Sequence, residues 1–149
     1  MIFEIVGRCK NKDVVQSLVI NVLRELKVAD HPALLEIRFV GMCDASSVAK
    51  EDTFGWSMAD QEEAEIEIAK SFKGKKVSFL MQMRTLVHEL IHIKQFLTLE
   101  LCEQGIRWYG EDYDWADYDN QPWEIEAFGR EDELFLKCYP WNMELKSGN

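Results

Sequence analysis

The sequence has no continuous apolar run of about 18 residues, the length that a membrane-spanning helix needs. It also lacks the basic start and the small-residue cleavage site typical of a signal peptide, since residues 1–6 read MIFEIV. These two absences argue against the common membrane and secretory classes. We therefore expect a cytoplasmic protein with no membrane partner.

Cysteine is scarce, and no two of the four cysteines form a C-x-x-C pair. Cys9, Cys43, Cys102 and Cys138 are instead widely scattered along the chain. In a cytoplasmic protein such residues stay reduced and usually act as small core side chains. We expect neither a structural disulfide nor a cysteine-bound zinc ion.

Positive charge is also in short supply, because 17 basic residues stand against 27 acidic ones, for a net charge of −10. Nucleic acid binding needs a basic surface, so we expect no nucleic acid partner. Ten acids crowd one segment: Glu111, Asp112, Asp114, Asp117, Asp119, Glu124, Glu126, Glu131, Asp132 and Glu133. The simplest interpretation is a solvated surface. The alternative is a cleft that attracts a metal ion or a basic substrate.

Histidine occurs only three times, yet two of the three belong to one motif, His88-Glu89-Leu90-Ile91-His92. On a helix, residues four apart lie on one face, so both imidazoles can bind a single zinc ion at about 2.0–2.1 Å. Glu89 then lies where it can reach a water activated by the metal. The third histidine, His31, precedes Pro32 in a predicted loop, and we expect it to be exposed and not a ligand.

The hydrophobic pattern predicts an α+β fold in a single domain, 1–149, with a mixed sheet of three to five strands. An N-terminal helix is predicted from Asp13 to about Ala29, and residues 42–53 are predicted to form a loop. Clean alternation over Ala64–Ala69 indicates a half-buried or edge strand. The four predicted strands are residues 1–8, Leu34–Val40, Phe54–Met58 and Ala64–Ala69.

A central helix is predicted from about Ser78 to about Leu101, and it is apolar around most of its circumference. Such a helix is buried in the protein. Burying His88, Glu89 and His92 is costly unless they are paired or bind something. This cost favours a metal site over the alternative of a purely structural helix without zinc.

A catalytic zinc ion usually has three protein ligands, so a carboxylate should join the two histidines. A C-terminal helix beginning at Pro122 and ending near Tyr139-Pro140 offers Glu124 and Glu126. Residues two apart point to opposite sides of a helix, so only one of the two can reach the metal. The residues alone leave this choice open.

The motif resembles the phage-type zincin-like metallopeptidases when it is combined with two later segments, Arg107-Trp108-Tyr109-Gly110 and Pro122-Trp123-Glu124-Ile125-Glu126-Ala127. More distantly, it resembles the minimal gluzincin domains of the SprT-like and ImmA/IrrE groups. This resemblance covers about residues 80–137. It implies a small zincin-like domain in which a sheet packs on the buried HExxH helix and the C-terminal helix bears a ligand.

The resemblance implies zinc held by His88, His92 and Glu126, with Glu126 ranked above Glu124 because it precedes an alanine. It also implies hydrolysis of a peptide or protein substrate, with Glu89 as the general base. Tyr118, or failing that Tyr109, is a candidate to stabilise the oxyanion. In such folds an edge strand binds the substrate, a role that Ala64–Ala69 would fit. A phage-encoded protein of this kind would act in the host cytoplasm.

One alternative is a zinc-binding relative that acts as a binding or inhibitory partner without turnover. An intact Glu89 argues against it, because such a relative need not keep a base. The acidic loop 111–119 has two interpretations, as a lid over the cleft or as a contact for a basic substrate. Substrate identity and oligomeric state do not follow from the sequence.

Overall fold

A computed structural model describes residues 1–41, 53–102 and 106–143 of the chain. Its main feature is a mixed four-stranded sheet in the order β1-β2-β4-β3, in which β1, β2 and β4 are parallel and β3 is antiparallel to β4. The strands are β1 (Ile2–Val6), β2 (Leu34–Val40), β3 (Gly55–Ala59) and β4 (Glu63–Ala69). The predicted α+β class and mixed sheet are confirmed.

In the described parts of the chain, three long helices accompany the sheet, and each corresponds to a predicted one. They are α1 (Lys12–Glu25), α2 (Phe79–Leu97) and α3 (Pro122–Cys138). Short elements fill the connections: the hairpin β5 (Ser71–Phe72) and β6 (Lys75–Lys76), the small sheet β7 (Leu101–Cys102), β8 (Arg107–Trp108) and β9 (Glu111–Asp112), and a 3-10 turn at Tyr118–Asn120. Most of the predicted loop at residues 42–53 lies outside the described residues.

The helices pack on one face of the sheet and form the main core with it. Along β2, Leu35, Ile37 and Phe39 are buried in this core while Leu34 and Arg38 are exposed. Helix α2 lies at the centre, in contact with β3, β4, α1 and α3. Thirteen of its 19 residues are buried, as its nearly continuous apolar surface predicts.

Ala64–Ala69 was predicted to be a half-buried or an edge strand, and the second alternative is wrong. Strand β4 lies inside the sheet, hydrogen-bonded to β2 on one side and to β3 on the other. Its alternation arises because only one face of the sheet is covered by helices, so alternate residues point away from the core. Alternation therefore indicates that only one face of the sheet is covered. It does not indicate where in the sheet the strand lies. The edge strand beside α2 is β3.

Two helices end earlier than the sequence pattern predicts, and both ends coincide with left-handed backbone. Helix α1 ends at Glu25, and Lys27 has φ 61°. Helix α2 ends at Leu97, and Leu99 has φ 62°. A left-handed residue stops the helical hydrogen-bond pattern, as at many helix C-termini. Ser78 caps the start of α2, where its Oγ accepts a hydrogen bond from the Met81 backbone N–H.

Cys9, Cys102 and Cys138 are free thiols, while Cys43 lies outside the described residues. No helix within the described parts of the chain is long and apolar enough to cross a membrane.

Candidate metal centre

Helix α2 carries both motif histidines on the face that points towards α3. His88 and His92 are one helical turn apart, and their side chains are buried. The two Nε2 atoms lie 3.2 Å apart, and the rings meet edge to face. The predicted pairing of the two imidazoles is therefore present.

Helix α3 brings a carboxylate to this pair from its first turn. Glu124 Oε1 lies 2.9 Å from His88 Nε2 and 3.0 Å from His92 Nε2. Tetrahedral zinc ligands at about 2.0–2.1 Å are separated from one another by about 3.3–3.4 Å. The three atoms thus form a triangle only slightly smaller than one face of a zinc tetrahedron. His88, His92 and Glu124 constitute a possible metal site.

Glu126 does not join this triangle, although the resemblance ranked it first. Its Oε1 instead accepts a hydrogen bond of 3.1 Å from Gln95 Nε2. The reason is the rotation of α3 about its own axis. Packing of Trp123 and Ala127 into the protein turns the Glu124 side of the helix towards the histidines. Glu126, two residues on, points elsewhere.

The second ring nitrogen of each histidine also has a partner. His88 Nδ1 lies 3.3 Å from Glu131 Oε1, and His92 Nδ1 lies 2.8 Å from Gln95 Oε1. Both partner atoms are acceptors, so each Nδ1 carries a hydrogen. This leaves both Nε2 atoms to face the triangle, which is the arrangement that metal-binding histidines need.

The charges of the cluster shift the ionisation of its members. Burial lowers the pKa of the His88 imidazole, but hydrogen bonds to Glu124 and Glu131 outweigh it and raise that pKa from 6.5 to about 10. Burial raises the pKa of the Glu124 carboxyl, but hydrogen bonds from His88 and His92 lower it from 4.5 to about 2. Without a bound cation, protons on the imidazoles hold the cluster together, and a metal ion has to displace them.

In protein stripped of metal, we expect the His88–Glu124 pair to contribute most to stability between about pH 4.5 and 6.5. The raised pKa of His88 gives a stabilisation that is complete below 6.5 and is lost as the pH rises towards 10. The lowered pKa of Glu124 gives a stabilisation that is complete above 4.5 and is lost as the pH falls towards 2. Denaturant unfolding at a series of pH values measures this profile. Glu124→Gln should flatten it, and identical profiles for the two proteins would contradict the expectation.

Glu89 occupies the predicted position beside the two histidines. Its side chain is buried, and its Oε1 accepts a 2.7 Å hydrogen bond from Ser57 Oγ on the edge strand β3. Burial raises the pKa of the Glu89 carboxyl, although His92 and His88 act in the opposite direction. A carboxylate with a raised pKa accepts a proton more readily than an ordinary one.

Gly55 allows β3 to approach this carboxylate closely. A Cβ atom at Gly55 would lie 2.6 Å from Thr85 Cγ2 and 3.0 Å from Glu89 Oε2. We expect Gly55→Ala to cost about 1–3 kcal/mol of unfolding free energy, because β3 or α2 must move. The matched control is Gly129→Ala in the middle of α3, where an added Cβ meets nothing within 4 Å. Gly129→Ala should leave the free energy of unfolding unchanged or raise it by up to about 1 kcal/mol. Denaturant unfolding of the two variants measures the difference between them.

The triangle and Glu89 line a cleft of about 360 Å³ between β3, α2 and the start of α3. Tyr118 also lines this cleft, and its OH lies 3.3 Å from Glu124 Oε1. Burial, followed by the charge of Glu124, raises the pKa of the Tyr118 phenol, which therefore stays protonated. Tyr109 is two-thirds exposed and is not among the residues that line the cleft. Apolar side chains form most of the remaining wall: Phe54, Trp56, Met58, Phe96, Trp123 and Phe128.

Four residues of the site were not predicted from the sequence: Gly55, Ser57, Gln95 and Glu131. Glu131 follows Glu124 by seven residues, or two helical turns, and this spacing could have indicated that both face α2. Gln95 follows His92 by three residues, which places it on the same side of α2. Gly55 and Ser57 reach the site only through strand order, for which the sequence gives no local signal.

Comparison of the chain with protein-family models, curated proteins and solved structures gives no match. The resemblance to zincin-like metallopeptidases therefore rests on the motif residues. The geometry of His88, His92 and Glu124 is consistent with a zincin.

Proposed function

We propose that this protein is a zinc-dependent peptidase in which His88, His92 and Glu124 hold the metal and Glu89 is the general base. The observation that carries this proposal is the convergence of two imidazole nitrogens and one carboxylate oxygen, 2.9–3.2 Å apart, beside a buried glutamate at an open cleft. Two nitrogens and one oxygen, with room for a fourth ligand, suit catalytic zinc.

Zinc, when bound, supplies Lewis-acid polarisation of the carbonyl and lowers the pKa of water to about 7. Glu89 takes up the proton of the attacking water at its carboxylate and passes it to the leaving amine. Ser57 Oγ donates a 2.7 Å hydrogen bond to Glu89 Oε1 and so holds the carboxylate in place. The raised pKa of Glu89 suits it to both proton transfers.

Tyr118 is the side chain best placed to stabilise negative charge on the carbonyl oxygen. Its protonated phenol lines the cleft close to Glu124 and can donate a hydrogen bond there. Its side chain is 54% exposed, so it can turn towards a bound substrate at little cost.

The substrate is a peptide or protein segment, and we propose that it binds along β3 in an extended conformation. Residues Thr53 to Met58 line the cleft, and among the described residues β3 pairs only with β4. Within that part of the chain its other edge has no strand partner, which leaves it for backbone hydrogen bonds with an added strand. This assigns to Gly55–Ala59 the role that the resemblance suggested for Ala64–Ala69.

The test combines metal analysis of protein purified without chelator with turnover on a peptide library. We expect about one zinc ion per chain and cleavage that stops when zinc is removed and resumes when it is restored. Zinc without any turnover would support a binding or inhibitory role instead. Absence of zinc both after purification and after reconstitution would show that the cluster of His88, His92 and Glu124 has a structural role only.

A further inference from the structure

Gln95 is fully buried on α2, and both atoms of its amide group are engaged. Its Nε2 donates one hydrogen bond of 3.1 Å to the backbone oxygen of Trp123 and another of 3.1 Å to Glu126 Oε1. Its Oε1 faces His92 Nδ1 at 2.8 Å. The amide thus connects α3 to one of the two metal-facing imidazoles.

The two partners on α3 determine which way round the amide group lies. A backbone carbonyl and a carboxylate can only accept, so the atom facing both of them must be the NH₂ group. The amide oxygen is then forced towards His92 Nδ1, which must carry the hydrogen. With Nδ1 protonated, the lone pair of a neutral His92 is on Nε2 and points into the triangle with His88 and Glu124.

We propose that Gln95 and Glu126 are positioning residues that fix His92 in its metal-binding tautomer and ring orientation. A Gln95 amide turned the other way would present NH₂ to Nδ1 and favour the tautomer that carries its hydrogen on Nε2. That tautomer cannot bind a metal through Nε2. Glu126 acts on the metal through Gln95 and His92, which accounts for the part-buried hydrogen bond that this glutamate, although outside the triangle, accepts from Gln95 Nε2.

His88 has a simpler arrangement, because Glu131 contacts its Nδ1 directly at 3.3 Å. A carboxylate can only accept there, so it needs no further group to orient it. The neutral amide of Gln95 could lie either way round, and Glu126 together with the Trp123 backbone removes that ambiguity.

The inference rests on the proposed zinc site, and the experiment measures zinc affinity by competition with a chelator. We expect Gln95→Leu to weaken zinc binding about 10- to 100-fold, the usual effect of losing a partner behind a metal ligand. Glu126→Ala should weaken it less, because Trp123 still holds the amide. Glu133→Ala removes an exposed acid from the same helix as Glu126 and should leave the zinc affinity unchanged.

In zinc-loaded protein, the His92 Nδ1 proton should be protected from exchange in NMR spectra of the wild type, and this protection should be lost in Gln95→Leu.

Exchanging the side chains of Gln95 and Glu126 distinguishes the positioning role from a general contribution to packing. Gln95→Glu places two carboxylates side by side and leaves the Trp123 carbonyl without its donor. Adding Glu126→Gln restores a donor opposite an acceptor at the contact between the two side chains, while Nδ1 keeps an oxygen partner. Zinc binding should therefore be tighter in the double variant than in Gln95→Glu alone. Wild-type affinity in both Gln95→Leu and Glu126→Ala would overturn this inference and leave the zinc site intact. Failure of the wild type to bind zinc would overturn the proposed function itself, and the inference with it.

Discussion

Glu89→Gln is expected to keep about one zinc ion per chain and to lower kcat/KM about 10²- to 10⁴-fold on any peptide that the wild type cleaves. Glutamine has nearly the same shape and can still accept the hydrogen bond from Ser57 Oγ through its carbonyl oxygen. It cannot take a proton from water at neutral pH. The change therefore removes the base while it preserves the cleft.

The same substitution should not destabilise the fold. Burial raises the pKa of Glu89, which means that folding disfavours its ionised form. A neutral amide at this position removes that cost, so we expect the melting temperature of metal-free protein to stay level or rise. Loss of activity in Glu89→Gln could then not be attributed to unfolding.

Glu133→Gln is the matched control for the charge change, because Glu133 is exposed on α3 and lies away from the cleft. It should leave both zinc content and turnover unchanged. Full turnover in Glu89→Gln would exclude Glu89 as the base. Loss of zinc from that variant would show instead that Glu89 takes part in holding the metal.

His92→Ala has the second large expected effect, which is loss of stoichiometric zinc binding and, with it, of all hydrolysis. It removes one of three ligands. Zinc affinity should therefore fall by more than the factor of about 10 to 100 expected for a residue that only hydrogen-bonds to a ligand. His31→Ala is the matched control, because His31 is the remaining histidine and instead contacts Gln61 and the Ala33 backbone N–H. Zinc retained in His92→Ala and lost in His31→Ala would contradict the site assignment.

Glu124→Ala extends this test to the third ligand. We expect it to lower zinc affinity more than Glu126→Ala does, since only Glu124 lies against both Nε2 atoms. Chelator competition on the two variants ranks them directly. The reverse order would return the ligand role to Glu126, as the resemblance ranked it.

Local sequence patterns predicted most of the fold. The strand at Leu34–Val40 and the helix opened by Pro122 lie where the apolar spacing and the proline place them. Those patterns did not predict the order of the strands in the sheet. The alternation around Glu65 and Glu67 is the same for an internal strand and an edge strand when only one face of the sheet is covered.

The sequence by itself determined the half of the site that lies on one helix. Helical periodicity alone places His88 and His92 on one face with Glu89 beside them, because these residues are only one turn apart. The tertiary structure decided everything that joins separate elements. The rotation of α3 brought Glu124 to the histidines and Glu126 to Gln95, and the order of strands brought Ser57 to Glu89. Such contacts depend on how the faces of different helices and strands pack together, and no pattern within one segment predicts that packing.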